Sequence, residues 1–226
     1  MSKQSSLVSV RREFVTALEG SANLAAAVYE YCKRDYDSVS TNPLHSRQAR
    51  RVVALAFLWA VAAWESFIGD AFLRYLAGAK SPAGWAPDLA LGPARSLRHA
   101  CAVVSGRPAF NRETGHLNWA TDDILSRCKL FLQPGNRIEV TLKEHKGVLD
   151  AASVIRNRVA HASPKCRSAF KDVAQRIRGQ SLYQSYSVGD LLLEPRPASF
   201  PNAAVGSNVL EAFINLYLHL CDQVVP

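Results

Sequence analysis

Every residue from Val52 to Trp64 is apolar, and the run stops at Glu65. Few architectures can absorb such a stretch. A membrane-crossing helix takes roughly 18 or more apolar residues, so the run is too short to span and reads as part of a core helix. Apolar residues on nearly all faces place that helix at the centre of a helical bundle. It is predicted to run from Leu44 to about Leu76, opening with Arg47, Arg50 and Arg51.

The rest of the chain supplies partners of the same kind. Val10, Phe14, Val15, Leu18, Ala22, Ala25, Val28, Tyr29 and Cys32 recur three or four apart, which predicts an amphipathic helix from Leu7 to Asp35, slackened at Gly20. Asp37 to Pro43 reads as a turn, and Gly78 to Pro93, rich in proline and glycine, as a loop. A short helix is expected over Ala94 to Val104. Another should start at Thr121, as N-cap, with Asp122 and Asp123 in its first turn. Arg137 to Leu142 reads as a strand or a turn. Glu144 to Ala162 reads as a helix with Val148, Leu149, Ala152, Ile155 and Val159 on one face. The next helix has Ser163 as N-cap, Pro164 at its first position and Gly179 at its end. Ser181 to Gly206 is loop-rich, and Asn208 to Asp222 is a last apolar helix. The expected fold is therefore one all-α domain over residues 1–226. Its core is about 7–180 plus 208–222, with 181–206 as an inserted loop region.

Hydrophobic residues make up 48% of the chain, enough for a sizeable core. The polar opening from Met1 to Ser6 does not read as a secretory leader. The five cysteines are scattered, with no CxxC and no Cys/His spacing suited to zinc, which points to a reducing, cytoplasmic setting. The formal net charge of +8 favours a polyanionic partner. Most of that excess lies between Ser153 and Arg178. Arg156, Arg158, Lys165, Arg167, Lys171, Arg176 and Arg178 face a single acid there, Asp172. A cluster of this kind releases counterions from phosphates and is the footprint of nucleic-acid binding; a solvated helix face is the other reading.

Within that segment, Arg156-Asn157-Arg158-Val159-Ala160-His161 crowds two arginines, an amide and a histidine into two helical turns. Metal-free RNA cleavage wants such groups. A base removes the 2′-OH proton, an acid protonates the leaving 5′ oxygen, and a cation stabilises charge building on phosphorus. Histidine suits the proton transfers and arginine the phosphate oxygens. Asn157 and His161 are four apart and share a face, while Arg156 is about 140° round from His161. One straight helix cannot aim both at one atom, so a loosened helix end or a second protomer is needed. The spacing alone arises readily by chance.

The same residues carry a resemblance. Arg156 to His161 resembles the Arg-polar-x3–5-His motif of HEPN domains, with Asn157 at the polar position. Ala63-Trp64-Glu65-Ser66-Phe67-Ile68 resembles the core-helix segment of the RiboL-PSP type of HEPN domain. Ala162 to Phe170 and Ser187 to Leu192 look like its continuation. The likeness runs from about Leu44 to the C-terminus. It implies an all-α HEPN-like bundle that dimerises through the motif helices and cleaves RNA without a metal or other cofactor, often as a toxin of prokaryotic defence or toxin–antitoxin systems. Arg156, Asn157 and His161 would be catalytic, with Glu65 and Arg158 in support and Lys165, Arg167 and Lys171 holding RNA. A cognate antitoxin protein would be a further partner.

Glu65 has no cation three or four residues away, unlike Asp70, which has Arg74 and reads as a surface pair. A carboxylate among apolar neighbours needs a tertiary partner. Glu65 is therefore expected either to pair with Arg156 or another basic group of the motif helix, or to sit partly exposed. Trp85 and Trp119, in loops, would stack on bases or be buried in the bundle. No HxxxH or HExxH pair, phosphate loop or nucleophile elbow is present. The competing functional reading is a non-catalytic helical module that binds RNA or dimerises as a scaffold.

Overall fold

The 31 residues of Ser46–Leu76 form one uninterrupted helix, so the apolar run lies in its middle as expected. The computed structural model describes residues 6–34, 46–110 and 115–226, and the predicted turn at Asp37 to Pro43 lies outside them. Among the described residues there are nine helices and no strand, only the isolated bridges Leu89–Leu132 and Pro195–Asn208. In chain order they are α1 (Leu7–Arg34), α2 (Ser46–Leu76), α3 (Leu97–Ser105), α4 (Thr121–Phe131), α5 (Arg137–Glu144), α6 (Lys146–Ala160), α7 (Pro164–Arg178), α8 (Val188–Leu193) and α9 (Val209–Val224). The protein is all-α.

Local chemistry explains most boundaries. Ser163 Oγ accepts from the Cys166 N–H at 3.3 Å, Pro164 opens α7, and Gly179 ends it in the left-handed region at φ 71°. That helix is the one read from sequence. Two others differ. Arg137 to Leu142 is neither strand nor turn but most of α5, because Asn136 caps it by accepting from the Glu139 N–H at 3.0 Å. At α4, Ala120 is the cap position and Thr121 the first helical residue, buried, with no side-chain cap. The anticipated slackening at Gly20 does not occur; α1 is continuous.

The chain packs as two compact units. The first contains Met1–Val15, Trp64–Gly147 and Leu220–Pro226. Phe14 stacks on Phe67 with centroids 4.5 Å apart, and the Tyr75 hydroxyl donates to the Val224 carbonyl at 2.8 Å. Trp119 lies against Gly69, where an added Cβ would come within 2.5 Å of the indole, and Arg127 sits 4.3 Å over the same ring. Trp85 packs edge-on against Tyr75. Both loop tryptophans therefore pack against the bundle while staying half-buried. Asp70 pairs with Arg74 at 3.5 Å, but Arg74 is buried, so this is not the surface pair expected.

The second unit contains Thr16–Ala63 and Val148–His219. Its buried side chains include Leu18, Phe57, Ile155, Phe170, Leu191, Phe213 and Tyr217. Phe213 lies edge-on to both Phe57 and Phe200, with centroids 5.1 and 5.2 Å away.

Burial along α2 corrects one expectation. Although apolar nearly all round, the helix leaves Gln48, Arg51, Leu55, Trp59 and Ala62 exposed, on a single stripe at three- and four-residue steps. Leu55 is 49% exposed and Trp59 50%. By length and composition alone Arg47–Leu76 could cross a membrane, and 56% of its most apolar window is buried. A core helix of a soluble bundle has the same composition.

Candidate functional site

The motif belongs to the end of α6. Ile155, fully buried, anchors that end, and the following residues are progressively more exposed. Arg156, Asn157 and Arg158 are half-buried, and His161 is exposed just beyond the last helical residue. The His161 backbone N–H still donates to the Asn157 carbonyl at 2.9 Å, so the helical path continues through it. Arg158 Nη1 donates to the His161 carbonyl at 3.3 Å, putting positive charge where the helix dipole leaves carbonyls unsatisfied. Arg156 Nη1 donates to Asn157 Oδ1 at 2.9 Å. The arginine and the amide of the motif are thus coupled, and His161 presents its side chain to solvent within the protomer.

Beside this helix end the second unit carries a half-open pocket of about 930 Å³. Its walls are the first turns of α2, the end of α6, α7 and residues 184–190. Six cationic side chains line it: Arg47, Arg50 and Arg51 from α2, Arg158 from α6, and Arg167 and Lys171 from α7. Asp190 is the one acid among the lining residues. Its charge is already used. Oδ1 meets Arg50 Nε at 2.8 Å, and Oδ2 accepts from the Ser187 N–H at 2.8 Å and the Ser187 hydroxyl at 2.6 Å, closing the capping box of α8. Besides Arg50 the lining carries five further cationic side chains and no further acid.

The wall opposite α2 is held in place by close contact. Gly189 packs on the α2 backbone so tightly that a Cβ would overlap the Arg50 carbonyl oxygen. Tyr186 is anchored from behind. Its hydroxyl donates to Glu194 at 3.4 Å, the Arg178 guanidinium lies 5.4 Å from its ring centre, and Arg178 pairs with Glu194 at 3.1 Å. Burial, then the Glu194 charge, pushes the Tyr186 hydroxyl far above its ordinary range, so it stays protonated and a donor.

The residues singled out from sequence therefore separate. Arg158, Arg167 and Lys171 come together on the cavity wall, while Lys165 is exposed on the first turn of α7 and does not line it. Arg156, Asn157 and His161 are not lining residues either; they occupy the adjoining helix end. Glu65 is half-buried on α2. The sequence reading missed the part played by Arg47, Arg50 and Arg51. Their spacing of three and four at a helix start was the available signal, since it puts all three on neighbouring faces. No group of three or more His, Cys, Asp or Glu placed to hold a metal occurs among the described residues.

Comparison with protein-family models, with curated proteins and with solved structures finds no match to this chain.

Proposed function

We propose that the protein is a metal-independent endoribonuclease of HEPN type, built as a HEPN-like bundle and acting as a homodimer in the cytoplasm. In this reading it is a toxin or defence effector held in check by a cognate antitoxin protein. The observation that supports it most is the setting of His161, solvent-facing at a helix end whose preceding turn contributes Arg158 to a cavity lined by six cations. Polyanion capture and a proton-transfer group are thereby close along one helix.

The reaction follows from those groups. The 2′ oxygen attacks phosphorus as its proton passes to the imidazole of one His161. The P–O5′ bond breaks as the leaving oxygen takes a proton from the imidazolium of the partner's His161. Arg156 neutralises the charge building on the non-bridging oxygens, and Asn157 fixes the guanidinium through the 2.9 Å hydrogen bond. Two motifs are needed because one straight helix points Arg156 and His161 apart. Glu65 serves as a positioning residue, pairing with Arg156 or another cation of the motif helix. Lys165, Arg167 and Lys171 hold the RNA backbone.

Incubating the purified protein with total RNA in EDTA tests this. Products should carry 2′,3′-cyclic phosphate and 5′-hydroxyl ends, and His161→Ala and Arg156→Ala should each abolish cleavage while the protein stays folded. Retained cleavage in either variant overturns the assignment.

A second reading, a non-catalytic RNA-binding or dimerisation module, draws on a different observation. Arg158 lines the cavity and Arg156, Asn157 and His161 do not. RNA binding with no cleavage, unaffected by His161→Ala, would establish it.

A further inference from the structure

The exposed stripe of α2 leads directly out of the basic cavity. Arg51 and Leu55 both line the cavity, and Trp59 is the next residue along the same helix face, half-exposed, one turn further on. Successive members of this stripe are about 6 Å apart along the helix axis. Trp59 is not loosely attached: its ring tip lies over α1, where a Cβ on Gly20 would meet it at 3.7 Å. The exposed part of the indole is thus held in a fixed position on a helix, with cations at one end of it.

From this arrangement we infer that the cavity and the Arg51–Leu55–Trp59 stripe form one track for single-stranded RNA, with Arg51, Arg158, Arg167 and Lys171 taking phosphates and Trp59 stacking on a base. The inference rests on the RNA reading above and extends it to a binding surface apart from the motif. Three considerations select this occupant. Arg51, Arg158, Arg167 and Lys171 on one lining, whose single acid Asp190 is committed to Arg50, call for a polyanion rather than a single charged group. The continuation of the surface past the cavity onto an aromatic ring suits a chain rather than a compact anion. A flat, half-exposed indole offers a stacking partner to any unpaired base and nothing to bases already stacked in a duplex.

Asp190 sharpens the assignment. By holding Arg50 at 2.8 Å it withdraws that arginine from the phosphate-binding set, leaving Arg51 as the α2 cation aligned with Leu55 and Trp59. Mutating Arg50 should therefore damage the wall, whereas mutating Arg51 should damage binding alone.

The test measures binding by fluorescence anisotropy in EDTA, in a His161→Ala background so that the probe is not consumed. The probes are a labelled single-stranded oligouridylate, a duplex RNA of equal length and phosphatidylserine vesicles. Arg51→Gln and Lys171→Gln should each weaken single-strand binding and each lower the slope of log affinity against log salt by roughly 0.7. Trp59→Ala should weaken it on the order of tenfold with the slope unchanged, and Trp59→Phe should restore most of the loss. Unaltered melting temperatures confirm that the variants are folded. If the parent binds single-stranded RNA but none of these variants changes affinity or slope, the track is wrong while the RNA reading stands. If the parent binds no RNA, both fail. Tighter binding to duplex or to vesicles overturns the single-strand assignment.

Discussion

The Arg156 guanidinium donates to the Asn157 side-chain oxygen at 2.9 Å, so two neighbouring residues that an ideal helix would point about 100° apart are joined at their tips. In the proposed ribonuclease the contact would give the motif asparagine a concrete task. It fixes the fork of an otherwise rotamer-rich arginine, which lowers the ordering cost of presenting that charge to a phosphate.

The first prediction follows from that contact. If the proposed activity is right, Asn157→Ala should lower RNA cleavage by roughly 10²-fold, chiefly in kcat, because the arginine remains charged but loses this contact. Asn157→Asp keeps an acceptor and should retain more activity than the alanine variant. Since both side chains are half-buried at a helix end, the melting temperature should move little. Equal loss in the alanine and aspartate variants would remove the positioning role.

A second prediction concerns the wall of the cavity. A methyl group at Gly189 would overlap the Arg50 carbonyl oxygen, which belongs to a helix backbone and cannot move aside alone. Gly189→Ala should therefore destabilise the second unit by about 1–3 kcal/mol and loosen the Arg50–Asp190 pair. Gly20→Ala gives the opposite control. There the new methyl meets only the Trp59 ring at 3.7 Å, an ordinary contact, inside a continuous helix. It should stabilise by about 0.5–1 kcal/mol. Thermal melts of the two variants should shift in opposite directions; a shared sign would contradict the packing described.

These pairs also mark the limit of what the sequence makes legible. The helix from Pro164 to Arg178 is specified locally by Ser163, Pro164 and Gly179, and its bounds follow from those residues. α5 escaped because eight residues containing Ile138, Val140 and Thr141 look strand-like, and only the Asn136–Glu139 cap argues otherwise. The exposed face of α2 could not be read at all. Leu55 and Trp59 have the composition of core, and their exposure depends on which neighbours pack there. The basic cavity joins Arg47 to Arg51 with residues 158–190, a separation no sequence window spans. By contrast Arg167 and Lys171 were identifiable because charge clustering is itself local.

Thiol chemistry provides a third prediction. Of the four cysteines whose side chains are described, Cys101, Cys128 and Cys221 are buried and Cys166 is partly exposed on α7. Burial is the main cause that pushes the Cys128 and Cys221 thiols up to about 12. At pH 8 each is then thiolate only about one part in 10⁴, and thiolate is the reactive form. Among these four, iodoacetamide should modify Cys166 first and Cys128 and Cys221 only on unfolding, and Cys166→Ser should abolish the early adduct on the peptide containing residue 166, read by mass spectrometry. Early modification at Cys128 would show that its burial is wrong.

The last prediction is a pH dependence centred on α5. Glu139 is buried, with its side chain 8% exposed, and Lys143 Nζ lies 2.6 Å from Oε1. The lysine hydrogen bond, opposed by burial and aided by the lysine charge, holds the Glu139 carboxyl below its ordinary 4.5. A carboxyl with a depressed folded pKa binds its proton more readily when unfolded. Its contribution is therefore complete above about 4.5 and is lost as the pH falls through the folded value. Because Lys143 is itself 55% exposed, solvent screening limits the effect to about 1 kcal/mol. Glu139→Gln should lower the melting temperature of the protein at pH 7, and the gap to wild type should shrink as the pH is taken below the folded value. An equal gap at pH 7 and pH 3 would mean that Glu139 acts through packing or the Asn136 cap, not through its charge.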